Sequence, residues 1–219
     1  MIEAEPIIKG LCTAFAASQA DADPYRHWLV NAVFPAAVAD DLACLALPTV
    51  ELAGVSGKRE LHNDQRHYFN APTNARLPIC ATIAEAFQSA TVAQAIERHT
   101  GAKLAGSSLR LEYAQDTDGF WLEPHTDLGV KTFTMLIYLD GGEGQTDLGT
   151  DIYRDRETWA KRTPFTPNTA LVFVPSDTTW HGLARRPIQG VRRSVIMNYV
   201  TQAWIDRSQL AFPDQPVGL

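Results

Sequence analysis

Cysteine, positive charge and long apolar runs are all in short supply in this chain, and each shortage removes a class of protein. Three cysteines occur in 219 residues: Cys12, Cys44 and Cys80. Their odd number, wide spacing and lack of a CxxC pair exclude a disulfide framework and a thiolate zinc site. They read as small buried hydrophobes in a reducing, cytoplasmic setting. Lys and Arg number 19 against 25 Asp and Glu, a net charge of −6, so nucleic acid is not the expected partner. No apolar run approaches the roughly 20 residues of a membrane span. The opening MIEAEPIIKG carries acids where a signal peptide has a basic region followed by an apolar one. There is no GxSxG elbow, GxGxxG or GxxxxGK(S/T) order, no internal repeat and no low-complexity tract. The glycine-rich GGEGQTDLG (141–149) therefore reads as a hairpin loop, not a phosphate cradle.

What is present is ordinary globular material, 45% hydrophobic and 20% charged. The length suits one domain (1–219) that buries roughly 70% of its unfolded surface. Its two parts differ in texture. Residues 1–106 are mostly helical in pattern: a helix from Ile2 to Ala17, a strand over Trp28–Phe34, a helix opening at Pro35, and one or two helices from Pro78 to His99 stopped by Gly101. Residues 51–76 are polar and irregular. Residues 107–203 carry seven short alternating runs separated by turn residues, beginning SSLRLEYAQ and ending GVRRSVIMNYVTQ. That density of strands predicts a sandwich, jelly roll or barrel, with the helices packed on one outer face.

Within WLEPHTDLG, His125 and Asp127 stand at i and i+2 of a strand. They point to one face, about 6.6 Å apart along the chain. An imidazole and a carboxylate so placed can converge on one ion, and a second histidine would complete the two-histidine, one-carboxylate arrangement of non-heme iron. The spacing alone is not specific, because His62-Asn63-Asp64, flanked by Glu60 and His67, repeats it. Context separates the two. The His62 cluster lies in a polar stretch without alternation, which reads as a solvated loop or a lid; His125 and Asp127 lie on a strand, though a solvent-facing strand end would look the same. In KTFTMLIYLD, Phe133, Met135, Ile137 and Leu139 form an apolar face, while Thr132, Thr134, Leu136 and Tyr138 form a face able to border a polar cavity or to lie wet on the outside. His181, in TTWHGLAR, is the only histidine downstream of Asp127, either a third ligand or a packed structural ring. In GVRRSVIMNYV, Arg192, Ser194 and Asn198 share a face. An arginine fork and a hydroxyl there can grip a carboxylate, or the arginines can simply solvate a surface. Arg185 and Arg186, before Pro187, read as a solvated turn.

Together PHTD, the distal TWHG and Gly190-Val191-Arg192-Arg193-Ser194 resemble the Fe(II)- and 2-oxoglutarate-dependent dioxygenases, in particular the prolyl-4-hydroxylase-like branch. The resemblance runs from Leu109 to Tyr199 and extends more weakly to YRHWLVNAVFPAAVADDLACLALP. It implies a mainly β fold, a double-stranded β-helix (107–203) with flanking helices. It also implies iron held by His125, Asp127 and His181, and O2 as a co-reactant. 2-Oxoglutarate would be gripped by Arg192, with Ser194, Tyr138 and Thr134 beside it and Tyr113 near its other end. The family couples conversion of 2-oxoglutarate to succinate and CO2 with oxidation of a substrate C–H, usually hydroxylation. An intact Asp127 disfavours its halogenating members. Trp121 and Glu123, which share parity with His125, together with Arg110 and the His62–Tyr68 segment, are the candidates for contact with a small-molecule or peptidyl substrate. Two other classes remain: a cupin-like metal enzyme that does not use 2-oxoglutarate, and a non-catalytic jelly-roll binding protein.

Overall fold

The computed structural model describes residues 3–49, 57–58, 66–127, 129–140 and 143–218. The His62–Asp64 cluster lies outside them. The N-terminal part supplies α1 (Ala4–Ala17), β1 (Ala20–Asp21), β2 (His27–Asn31), α2 (Ala36–Ala43), β3 (His67–Tyr68), α3 (Ala71–Arg76), α4 (Pro78–Gln88) and α5 (Ala90–Thr100). Gly101, at φ 82°, ends α5 in the left-handed region that glycine enters without cost. The second part supplies β4 (Ser108–Asp116), β5 (Leu122–His125), β6 (Lys131–Asp140), β7 (Asp151–Tyr153), β8 (Trp159–Arg162), β9 (Thr169–Phe173), β10 (His181–Leu183) and β11 (Arg192–Val200). All seven alternating runs are strands. β8 is an eighth, on the edge of its sheet, too short and exposed for its WAKR sequence to alternate visibly.

The strands form two antiparallel sheets, a seven-stranded one in the order β1-β2-β9-β6-β11-β4-β3 and a four-stranded one in the order β5-β10-β7-β8. From β4 to β11 the chain alternates between them: β4, β6, β9 and β11 join the large sheet, and β5, β7–β8 and β10 join the small one. That winding is the expected double-stranded β-helix.

Side-chain parity turns the large sheet into a partition. One face carries Leu109 and Leu111 of β4, Phe133 and Met135 of β6, and Val195 and Met197 of β11, all fully buried against Leu11 and Phe15 of α1, Phe87 of α4 and Ile96 of α5. The helices thus pack on one outer face, as their amphipathic spacing predicts. The other face meets the small sheet across a second apolar cluster that includes Leu171, Phe173, Ile152 and Leu183. Asp151 of β7 is fully buried and organises the small sheet. It accepts from Arg162 Nε (2.8 Å), Arg186 Nη2 (2.8 Å), Trp159 Nε1 (3.1 Å) and the Ala184 amide (2.8 Å). Arg186, read from sequence as solvated, is therefore a buried partner of a buried carboxylate. No helix among the described residues is long and apolar enough to cross a membrane.

Two glycines test this packing with opposite signs. A Cβ at Gly149 would sit 1.8 Å from the Thr163 backbone oxygen, whereas at Gly10, inside α1, the nearest atom would be 3.7 Å away, an ordinary contact. Gly149→Ala should lower unfolding free energy in urea by about 1–3 kcal/mol, because the backbone must move. Gly10→Ala should raise it by about 0.5–1 kcal/mol through helix propensity.

Candidate active site

His125 ends β5 and His181 begins β10, and the two are directly paired across the small sheet, with ring centroids 4.4 Å apart. Each ring is oriented by backbone. His125 Nδ1 bonds the Glu123 carbonyl (2.8 Å) and His181 Nδ1 bonds the Thr179 carbonyl (3.0 Å). A carbonyl only accepts, so each Nδ1 carries a proton and each Nε2 is left as the ligand atom. Asp127 follows β5, and its Oδ2 lies 3.9 Å from His181 Nε2. One ligand atom from each of the three lies within 4.8 Å of the others. The donor set fits a divalent transition metal held on one side, with positions left open on the other.

The carboxylate and the rings sit in contrasting fields. Asp127 is only 8% exposed. Burial alone would raise its pKa, but the Lys131 ammonium, joined by the two neighbouring imidazoles when they are protonated at low pH, outweighs that and holds it well below the ordinary carboxylate range. Lys131 Nζ donates to Oδ1 (2.7 Å) and Thr134 Oγ1 donates to Oδ2 (2.9 Å). His181 is pushed down to about 4, first by burial and then by His125. It is therefore neutral near pH 7, the state a metal ligand requires.

A cavity runs from these residues between the sheets. Its lining includes Leu122, Lys131, Thr134, Leu136, Thr150, Leu183, Arg192, Ser194 and Ile196 beside the triad. Arg192 lies at its far end, 5% exposed. Its Nε donates to the Leu148 carbonyl (2.7 Å) and its Nη1 to Asp116 Oδ2 (2.6 Å), and the Phe165 ring lies 5.2 Å from the guanidinium carbon. Asp116 is the residue directly opposite Arg192 in the β4–β11 pairing. These two anchors leave other guanidinium N–H groups for an anion. Arg193, one position along, faces the other way and bonds Asp140 (3.2 Å). The irregularity near this point falls on β6, where Asp140 and Tyr138 pair with consecutive β11 residues, so the alternation of β11 is intact.

Several expected site residues are placed differently. Tyr113 shares parity with Leu109 and Leu111 and lies in the helix-side core. Its hydroxyl donates to the Leu42 carbonyl (2.8 Å) and burial pushes its pKa up to about 12. It is thus on the wrong side of the partition to reach the cavity. Tyr138 is one bond removed from the cavity wall, its hydroxyl held by Thr150 Oγ1 (2.8 Å) and Thr163 Oγ1 (2.7 Å). Trp121 and Glu123 do not line the cavity; Leu122 does. The cause is a bulge. His125 pairs with His181 and Leu122 with Leu183, three steps on β5 against two on β10, which reverses parity between them. Trp121 instead stacks under Arg185 (4.7 Å), and Glu123 lies 3.8 Å from Arg156. Arg110 is buried outside the cavity and bonded to protein groups. His67 bonds the Pro48 carbonyl (3.1 Å), away from the triad.

Sequence reasoning missed Lys131 and Asp116. Neither carried a signal. Lys131 looks like any charged strand opening, and Asp116 acquires meaning only once β4 is known to pair with β11.

No family model and no curated protein matches this sequence. Solved structures do match. A Pseudomonas putida prolyl-4-hydroxylase aligns at TM-score 0.56 and 14% identity over 90% of this chain and 96% of that one. A Trichoplax adhaerens prolyl hydroxylase, solved with a hypoxia inducible factor peptide fragment, aligns at TM-score 0.56 and 15% identity over 91% of each chain. HygX from Streptomyces hygroscopicus, solved with nickel, 2-oxoglutarate and hygromycin B, aligns at TM-score 0.53 and 14% identity over 82% of this chain and 84% of that one. The fold of this chain is the one these proteins share.

The triad predicts its own metal chemistry. Anaerobic titration with Fe(II) or Co(II) should give one bound ion per chain. Asp127→Ala, His125→Ala and His181→Ala should each abolish tight uptake, whereas His62→Ala should retain it.

Proposed function

We propose that this protein is an Fe(II)- and 2-oxoglutarate-dependent oxygenase that hydroxylates an unactivated C–H bond of a small-molecule or peptidyl substrate, with release of succinate and CO2. The observation that carries the reading is the pairing, within one cavity of a double-stranded β-helix, of a two-histidine, one-carboxylate triad with a buried arginine and serine. A metal site alone would suit many reactions. A metal site facing an anion clamp suits a cosubstrate that chelates at one end and carries a carboxylate at the other.

His125, Asp127 and His181 would hold the iron, which supplies, with 2-oxoglutarate and O2, the oxidising chemistry that no side chain can. The chain's own contribution is placement. The two Nδ1–carbonyl bonds fix the ring directions. Lys131 holds one oxygen of Asp127, which would leave the other to meet the ion. Arg192 and Ser194 would receive the distal carboxylate of 2-oxoglutarate. Thr150 stands beside them, and Tyr138 stiffens it from behind. Thr134 reaches the cavity at the metal end. Leu122, Leu136, Leu183 and Ile196 line the rest and exclude water from the reacting atoms.

The neighbours support both substrate classes, since one was solved with a peptide and another with hygromycin B, and a shared fold serves different substrates. We infer further that residues 1–219 act as one domain, with 1–106 supporting 107–203. Three free cysteines, one of them buried, suit a reducing cytoplasm.

Arg192 provides the test. Its loss would leave the cosubstrate carboxylate facing Asp116 without a cation. Arg192→Ala should weaken 2-oxoglutarate binding, measured by calorimetry on the metal-loaded protein, by about 30- to 5,000-fold, corresponding to about 2–5 kcal/mol. Metal affinity should be nearly unchanged. Arg192→Lys should recover only part, since an ammonium cannot make two parallel bonds. Arg193→Ala should change binding little. Metal-loaded wild-type protein that binds no 2-oxoglutarate would sink the reading.

A further inference from the structure

The polar groups behind Asp127 form a single directed chain across the large sheet. Arg110 Nη1 donates to Asn198 Oδ1 (3.2 Å), Asn198 Nδ2 donates to Thr134 Oγ1 (3.0 Å), and Thr134 Oγ1 donates to Asp127 Oδ2 (2.9 Å). The three members beyond the carboxylate come from three adjacent strands. Asn198 of β11 pairs with Arg110 of β4 on one side and with Thr134 of β6 on the other. None is more than 5% exposed.

The direction of the chain follows from the chemistry of its first member. A guanidinium has donors and no acceptor. Arg110 therefore compels Asn198 to turn its oxygen toward it and its amide nitrogen toward Thr134. A hydroxyl that accepts from an amide keeps its own hydrogen free, and that hydrogen falls on Asp127. Arg110 in turn has little freedom. Its Nε bonds Gln209 (2.8 Å), its Nη2 bonds Glu112 (2.9 Å), and the rings of Tyr68 and Trp204 lie 4.9 and 5.1 Å from its guanidinium carbon.

We propose that Asn198 is a positioning residue for the metal-binding carboxylate: with Arg110 behind it, it holds the Thr134 hydroxyl as a donor to Asp127 and so sets the orientation in which that carboxylate meets the ion. Arg110 thereby takes a role different from substrate contact. The inference rests on the metal site of the proposed function but not on its cosubstrate. Outer bonds of this kind commonly change metal affinity by about 10- to 100-fold when removed.

The test reads Co(II) affinity and the visible Co(II) spectrum by anaerobic titration, without turnover. Thr134→Val, which keeps shape and loses the hydroxyl, should weaken Co(II) by about 10- to 100-fold. Thr134→Ser should bind near the wild-type value. Asn198→Asp keeps shape but cannot donate; its carboxylate would draw the Thr134 hydrogen away from Asp127, so it should weaken Co(II) to a similar degree and shift the spectrum. The same Asn198→Asp change made in the Thr134→Val background should have little effect, because no hydroxyl remains to be redirected. A role in folding or simple charge would act alike in both backgrounds. Equal effects of Asn198→Asp in the two backgrounds, or wild-type affinity in Thr134→Val, would overturn the proposal. Failure to bind 2-oxoglutarate overturns the oxygenase reading and not this one, whereas wild-type protein that takes up no Co(II) overturns both.

Discussion

A carboxylate has been taken almost wholly out of water at Asp127, and the architecture around it answers that fact. Burying an ionised carboxylate without partners is strongly unfavourable. Here the compensation arrives from separate directions: a lysine on one oxygen and a hydroxyl on the other, with the two histidine rings beside them held in place by backbone carbonyls. Those groups lie on β5, β6, β10 and the turns beside them. They meet because the chain passes from one sheet to the other at nearly every strand. A meander that stayed in one sheet would leave His125 and His181 far apart.

The large sheet is the second constraint. Its strands alternate strictly enough that one face is apolar and helix-covered, while the other carries the polar groups of the cavity beside a second apolar cluster. The row Phe173, Thr134, Asn198, Arg110 crosses four neighbouring strands on the cavity face. Phe173 packs against the His181 ring at 4.7 Å, so the same row supports a histidine at one end and the carboxylate in the middle. Two residues towards the N-terminus of β11 from Ile196, Ser194 faces Tyr138 and Ala114, and beyond it Arg192 faces Asp116. Asn198 and Arg192 are thus separated by a fixed number of β11 residues, and their spacing is a property of one strand.

Much of this was legible in the residues. The seven alternating runs were strands because period-2 alternation is the physical signature of a sheet with two unlike faces. The terminus of α5 was visible in Gly101, and β6 and β11 were read with the correct faces. The short α3 was not seen in the polar 51–76 stretch, although Asn70 followed by Pro72 is a capping signal, with Asn70 Oδ1 accepting from the Thr73 amide (3.2 Å). Tyr113 was drawn to the site by family likeness against its own parity, and parity prevailed. Trp121 and Glu123 were placed by parity, and there a bulge reversed it. Alternation is reliable while a strand remains regular, as β4 does, and fails where a bulge interrupts it, as in β5.

The sequence by itself determined which side chains exist at which strand positions: a histidine and an aspartate two apart, a distal histidine, an arginine and a serine on one face of the last strand. Local pattern is enough for that, because backbone geometry dictates which neighbours along a chain point together. Only the tertiary structure decided which of those faces meet. The pairing of β10 with β5 joined the histidines, that of β4 with β11 set Asp116 on Arg192 and Arg110 on Asn198, and burial made an unremarkable lysine the partner of a carboxylate. Strand pairing and burial are long-range outcomes of the whole core, and no local stretch of residues contains them.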